Sequence, residues 1–205
     1  DVCSSDLGIE YLVDAFAKVM VRNDAYRLII AGNPKSCDSY WKVTLESLNC
    51  HVNRERIVQK IEYIPDDQTE VYFKAADVLA LPYRYIYQSG VLFLAYSFGL
   101  PVIATDVGAL REDIVEGKTG LVCRSEDSVD LARAIETYFL SDLYKNLNNR
   151  RQEIRNYALK QHSWDVISGL TEIVYREMLG GHSSDKSCIA PSTQPKASPS
   201  KQVGR

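Results

Sequence analysis

Residues 81–114, LPYRYIYQSGVLFLAYSFGLPVIATDVGALREDI, decide how the chain is to be read. Their order is strand, loop, helix, strand, loop. Residues 78–81 are a short apolar run closed by Pro82, the length of a strand buried on both faces and too short for a helix. The loop 83–89 opens onto 90–98, an apolar segment without a charge, which predicts a helix packed on both sides. Gly99 and Pro101 interrupt it, and 102–105 returns as a second buried strand. The helix start is the candidate site. Its first N–H groups have no partner within the helix, the dipole favours an anion there, and Gly90 has no side chain to block close approach.

Working outward, Ile9, Leu12, Phe16, Val19 and Met20 recur at helical spacing, so 8–22 is predicted as an amphipathic helix lying on a sheet. Residues 27–31 read as a buried strand ending at Gly32 and Asn33, where a tight turn lies near a ligand if ligands sit at the carboxyl ends of strands. A helix over 39–48, with Trp41, Leu45 and Leu48 inward, precedes a strand near 57–64. Pro65, Asp66 and Asp67 stop that strand, and a helix over 68–75 follows. Asp66 and Asp67 read as helix-start carboxylates rather than catalysts. Beyond Cys123, 127–140 is predicted as a helix with Val129, Leu131, Ala132 and Ile135 on its apolar side. The charged stretch 142–161 reads as a solvated surface helix, and 164–179 carries Trp164, Ile167, Leu170, Ile173 and Val174 at helical spacing. Alternating strands and helices imply βαβ crossovers and a parallel sheet with helices on both faces.

The central stretch resembles the donor-binding half of the retaining, metal-independent glycosyltransferases of the family-four type. Gly99, Pro101, Val102 and Ile103 stand at the family's G-x-P-V-I, 104–108 at its A-T-D-V-G, and Glu112, Gly117, Thr119, Gly120 and Leu121 at its E-x-x-x-x-G-x-T-G-L. The resemblance extends from Gly8 to about Met178. It implies an α/β fold, the Rossmann-like C-terminal half of a two-domain GT-B protein. It also implies a nucleotide-diphosphate sugar as substrate, no metal cofactor, and an N-terminal acceptor domain outside this chain. The acceptor class stays open among a sugar, a lipid-linked sugar and a small molecule.

The family commonly carries two glutamates eight apart across this loop and helix, assigned to the donor sugar and ribose. Counted back from Gly99 those places are Ile86 and Leu94; counted from Gly90 they are Tyr87 and Ala95. Residues 83–105 contain no Asp or Glu at all. The Q-S-G-V variant occurs within the same family, so the absence does not mark a dead enzyme. The resemblance also places the nucleobase against the backbone of Tyr63 and Ile64. A Lys that the family writes before Gly8, at the donor diphosphate, is replaced here by Leu7.

Residues 1–7 read as a sequencing-adapter scar, with the domain expected over 8–179. From 180 to 205 the composition turns to Ser, Pro, Lys and Gly, which predicts a disordered tail. Lys186, Lys196, Lys201 and Arg205 against Asp185 make that tail net +3 within a chain of net charge −3. A solvated tail is favoured over contact with an acidic membrane, so a cytoplasmic location is expected, with attachment at the inner membrane face as the alternative. The acidic balance argues against a nucleic-acid partner. Five scattered cysteines, Cys3, Cys37, Cys50, Cys123 and Cys188, lack zinc spacing and read as reduced thiols; His51, His162 and His182 suggest no local metal site.

Transfer from a nucleoside diphosphate requires fixed donors aimed at the charge developing on the leaving group. The candidates are the backbone N–H groups of Gly90 and Val91, the Ser89 hydroxyl, the Gln88 amide and the Arg84 guanidinium, for which a surface ion pair is an equal reading. Asp106 reads as a turn residue and Glu112 as a helix-start acid. By resemblance no general base is required here. Gly117-Lys118-Thr119 lacks the first glycine of a P-loop, and no G-x-G-x-x-G follows a strand. The rival functions are a non-catalytic nucleotide-binding or interaction module of the same fold and a nucleotide-sugar epimerase. The lack of acidic and histidine groups in the loop weighs against the epimerase.

Overall fold

The computed structural model describes residues 4–33, 38–51, 54–162 and 164–179. The tail 180–205, with His182 and Cys188, lies outside them, as do Cys3, Cys37 and the side chains of Leu45, Cys50, His51 and His162. After a 3-10 turn at Ser4–Leu7 the elements run α1 (Ile9–Arg22), β1 (Leu28–Ala31), α2 (Asp38–His51), β2 (Ile57–Lys60), α3 (Asp66–Ala75), β3 (Leu79–Leu81) and α4 (Gly90–Ser97). They continue β4 (Val102–Thr105), α5 (Leu110–Asp113), β5 (Gly120–Cys123), α6 (Ser128–Leu140), α7 (Asp142–Lys145), α8 (Leu147–His162) and α9 (Trp164–Met178).

Every strand pairing is parallel, as the alternation of strands and helices requires, and helices flank the strands on both faces. The strands fall into two sheets, β1-β2 and β3-β4-β5. β4 is the centre of the second, with Leu79 opposite Val102 and Val102 opposite Gly120. All four β4 residues are buried, because a central parallel strand is covered above and below. Around it α4 buries Leu92, Ala95 and Tyr96, α1 buries Leu12, Val13, Ala15, Phe16 and Val19, and α6 buries Leu131, Ile135 and Tyr138. Each large side chain so buried contributes on the order of 2 kcal/mol. The resulting core fixes the carboxyl ends of β3, β4 and β5, where the candidate site residues of the 83–91 stretch follow.

Four expectations are corrected. β1 is half exposed rather than buried, with Ile29 38% accessible, because it pairs with β2 alone. β2 ends at Lys60, so Tyr63 and Ile64 occupy the loop beyond it. In α6 Val129 faces solvent and Asp130 is buried. The cause is local: Asp127 caps the helix by accepting from the N–H groups of Val129 and Asp130, and the Asp130 carboxylate turns inward to accept from the Arg124 N–H at 2.8 Å. That bond, ahead of the Arg133 and Arg124 cations, holds the Asp130 carboxyl below its usual range against the opposing effect of burial. Finally, the stretch read as solvated is α7 and α8, and it is anchored: Leu143, Leu147 and Ile154 are buried, and Tyr157 meets Tyr96 edge-on.

Residues 164–179 form a second unit, described by itself as one amphipathic helix carrying the stripe Trp164, Ile167, Leu170, Ile173 and Val174. An Arg176–Glu172 pair at 2.6 Å supports it one turn apart. No helix among the described residues is long and apolar enough to cross a membrane.

Candidate functional site

The loop from Pro82 to Ser89 carries the chain from the end of β3 to α4, and its backbone is pinned from two sides. The Tyr83 carbonyl accepts from Thr105 at the end of β4 and from Ser125 beyond β5. On the other side the turn after β4 packs directly against the loop, the Ala109 N–H donating to the Tyr87 carbonyl at 3.1 Å. Gly108 makes this approach feasible. It has φ 54°, and a Cβ there would lie 2.1 Å from the Ile86 carbonyl oxygen. The A-T-D-V-G turn is therefore explained by packing, and Asp106 pairs with Arg111 at 3.0 Å. Thr119 is also structural, its buried hydroxyl accepting from Tyr96 and from the Val115 N–H.

The start of α4 has an uncommon arrangement for a helix whose cap position is a serine. Ser89 makes no side-chain cap; it is buried, and its hydroxyl lies 3.4 Å from the Tyr83 hydroxyl. Burial raises the Tyr83 phenol, an effect the Ser89 contact partly offsets. By contrast the α6 start has its N–H groups taken by Asp127. At α4 nothing lies within 4 Å of where a Gly90 side chain would begin, so the N-terminal turn faces open space. Gln88 is exposed on the approach and Val91 is 41% accessible beside it. Gln88, Ser89, Gly90 and Val91 are thus contiguous at one helix terminus, with Ser89 turned into the protein.

Arg84 is placed differently. Its guanidinium lies 3.5 Å from Glu126 and 3.9 Å from Glu10, and its backbone N–H donates to the Asp6 carbonyl at 2.8 Å. The ion-pair reading of this arginine is realised. Tyr63 and Ile64 lie at the carboxyl end of β2, in the other sheet, with Tyr63 66% accessible. Asp66 and Asp67 fall in the first turn of α3, whose cap is Pro65, and Glu112 is exposed in α5. Among the described residues no three His, Cys, Asp or Glu side chains are grouped to hold a metal ion.

Sequence reasoning missed Tyr83, Thr105 and Ser125, which hold the loop, and Glu10 and Glu126, which hold Arg84. None of these pairings has a sequence signal. Glu126 is the one non-glycine residue with positive φ among the described residues, at 56°, a conformation that nothing around a glutamate foretells.

A parallel sheet with an open helix start at a strand's carboxyl end is common to many nucleotide-binding folds, so family membership rests on the sequence match. The model of the family described as Glycosyl transferases group 1 matches residues 4–141, more than half of the chain. The chain belongs to this family. It is 28% identical over 178 residues to an uncharacterized glycosyltransferase of Methanocaldococcus jannaschii, covering 84% of this chain and 43% of that protein. It is likewise 28% identical over 178 residues to the D-inositol 3-phosphate glycosyltransferase of Corynebacterium aurimucosum, covering 84% of this chain and 40% of the relative. The chain therefore spans less than half the length of these relatives. In fold it is similar to Anabaena HepE, solved in complex with UDP-glucose, with a TM-score of 0.69 at 20% identity, over 86% of this chain and 46% of that one. The architecture is thus of the GT-B type.

Proposed function

We propose that this group 1 glycosyl transferase chain is the donor-binding domain of a retaining, hexosyltransferase-type enzyme, and that it holds a nucleotide-diphosphate sugar with the diphosphate at the start of α4. The observation that carries the reading is the uncapped, open helix start at Gly90, set at the carboxyl end of β3 on a loop pinned by its neighbours. The N–H groups of Gly90 and Val91 and the amide of Gln88 meet the phosphate oxygens, with Arg84 supplying the cation, while Ser89, first expected among these donors, holds the loop from inside through its hydroxyl contact with Tyr83. The nucleobase is read by the backbone at Tyr63 and Ile64. That a protein of similar fold is solved with UDP-glucose supports a nucleotide-sugar donor.

In the transfer step the bond between the sugar's anomeric carbon and the diphosphate oxygen breaks, and its electron pair passes to the leaving oxygen. The acceptor oxygen bonds to the same carbon, and its proton passes to the departing phosphate. This domain's part is to stabilise the charge on that phosphate, which fixed donors do without reorganising during the reaction. No metal is assigned to the step. Transfer itself belongs to the longer protein that also contains an acceptor domain, working in the cytoplasm or against the inner face of the membrane. The chain alone is expected to bind donor and to transfer little or nothing.

Isothermal titration of the chain with UDP, GDP and ADP, each with and without a hexose attached, tests the reading. Saturable binding of one nucleotide, retained in its sugar-bearing form, is the expected result and names the base. Failure of all six ligands to bind would remove the proposal in favour of a non-catalytic interaction module of the same fold.

A further inference from the structure

Arg84 stands at the centre of a polar group that joins four separated parts of the chain. Its Nη2 lies 3.5 Å from Glu126 Oε2, in the connection between β5 and α6, and its Nη1 lies 3.9 Å from Glu10 Oε1 in α1. Each carboxylate has a second partner. The Tyr11 hydroxyl donates to Glu126 Oε2 at 3.1 Å, and the Tyr40 hydroxyl of α2 donates to Glu10 Oε2. Burial, with the Glu10 bond second, pushes the Tyr40 phenol well above its ordinary range, so it remains a donor.

Two features show how loosely the guanidinium is held. Both ion pairs are longer than the roughly 2.7–2.9 Å of a charge-assisted hydrogen bond. All three side chains are also open to water, with Arg84 38%, Glu10 35% and Glu126 51% accessible, so the attraction is screened. Two carboxylate oxygens set against one planar guanidinium present the same fork of acceptors that two phosphate oxygens would. Because the tyrosines keep hold of Glu10 and Glu126, withdrawing Arg84 does not leave either carboxylate unbonded. The backbone adds a further sign. Glu126 occupies a left-handed conformation that glycine would adopt more readily, so packing alone does not call for a glutamate at this place.

We infer that Glu10 and Glu126 occupy Arg84 as internal stand-ins for a phosphate, and that the donor diphosphate takes the arginine over from them. This rests on the reading of the α4 start as the donor site and adds to it a built-in competitor. The two carboxylates lower donor affinity in the resting protein by competing for the guanidinium.

The test is a double-mutant cycle on the full 205-residue chain, titrated with UDP, GDP and ADP. Glu126→Gln keeps the length of the side chain and a bond to Tyr11 while removing the charge. It is expected to tighten nucleotide binding roughly two- to fivefold, the worth of one exposed ion pair. Arg84→Met is expected to weaken binding at least about tenfold, the loss of a bidentate phosphate contact. In the Arg84→Met background Glu126→Gln should then bring no tightening, a dependence that a merely structural role for Glu126 would not produce. Thermal melting of each variant checks that the fold is kept. If the wild-type chain binds a nucleotide and Glu126→Gln leaves the affinity unchanged, or tightens it equally without Arg84, the competitor is refuted while the α4 site stands. If no form binds any of the three nucleotides, both readings fall together.

Discussion

The Thr105 hydroxyl donates to the backbone carbonyl of Tyr83 at 2.6 Å, and both residues are buried. The bond ties the end of β4 to the first residues of the loop that carries Arg84 and Gln88. Ser125 donates to the same carbonyl at 3.0 Å, so one acceptor collects two donors from separate elements. Thr105→Val removes one donor while leaving the carbonyl satisfied, and should cost about 1 kcal/mol in urea unfolding. Adding Ser125→Ala strips the carbonyl bare. The double variant should therefore lose more than the sum of the single losses, by at least about 0.5 kcal/mol. Strictly additive losses would show that the two donors do not share a task.

Gly90 separates binding from folding. Its backbone is not left-handed and no atom lies within 4 Å of the added carbon, so Gly90→Ala and Gly90→Glu should both keep the fold. A glutamate in the first turn even suits the helix dipole, by about 0.3–1 kcal/mol. The same carboxylate occupies the space assigned to the diphosphate. Melting temperature is therefore expected to hold or rise slightly, while nucleotide affinity drops at least about tenfold in the Glu variant and little in the Ala variant. Unchanged affinity in Gly90→Glu would move the site away from α4.

The parts of the fold that were legible in the sequence are those where every position carries the same message. β4 is apolar because all four residues are buried. The uncharged α4 is a correction: expected to be packed on both sides, it buries Leu92, Ala95 and Tyr96 and leaves Val91 and Leu94 about two-fifths exposed, its contact with α8 covering one side only. α8 itself was misread because its sequence, LNNRRQEIRNYALKQH, spreads a few apolar residues among many polar ones. Leu147 and Ile154 are nonetheless buried, and Tyr157 meets Tyr96 of α4 edge-on. Val129 and Asp130 misled in the opposite sense: hydrophobicity predicts the valine inside, but a cap and a backbone hydrogen bond put the aspartate there. At the site, Gln88 to Val91 could be placed on a helix start from the loop and the glycine alone. The partners of Arg84 could not, since Glu10 and Glu126 are brought together only by the stacking of α1 against α6 beside β5.

Gly99 closes α4 and should be intolerant of any side chain. Its φ is 67°, and a Cβ would lie 2.3 Å from the Arg151 carbonyl oxygen, on the backbone of α8. A helix backbone cannot yield as a flexible side chain does. Gly99→Ala should thus destabilise the chain by at least about 2 kcal/mol in urea unfolding, combining left-handed strain with displacement of α8. Pro101→Ala, two residues on, should cost less, because it loosens the chain without a clash. A Gly99→Ala variant as stable as the parent would mean that α8 is not held where Tyr157 and Ile154 place it.

Alkaline pH should unfold the chain earlier than its exposed groups would suggest, and Cys123 is the reason. The thiol sits at the end of β5, buried, within 3.5 Å of the Ala104 carbonyl. Burial, with the Asp130 and Asp127 charges adding to it, pushes it up from its ordinary 9.0 to about 12. The folded chain therefore keeps a proton that the unfolded chain has lost, so unfolding releases a proton and stability falls as pH rises. The contribution is complete below about pH 9 and is lost as pH climbs toward 12. The buried phenols of Tyr96 and Tyr138 are raised above their ordinary 10.0 and act in the same direction, one unit later. Urea midpoints measured from pH 7 to pH 11 should be level to about pH 9 and then decline. Cys123→Ala should start lower through lost packing but stay level to about pH 10, where the tyrosines take over. Parallel decline of the parent and Cys123→Ala between pH 9 and 10 would assign the alkaline sensitivity elsewhere.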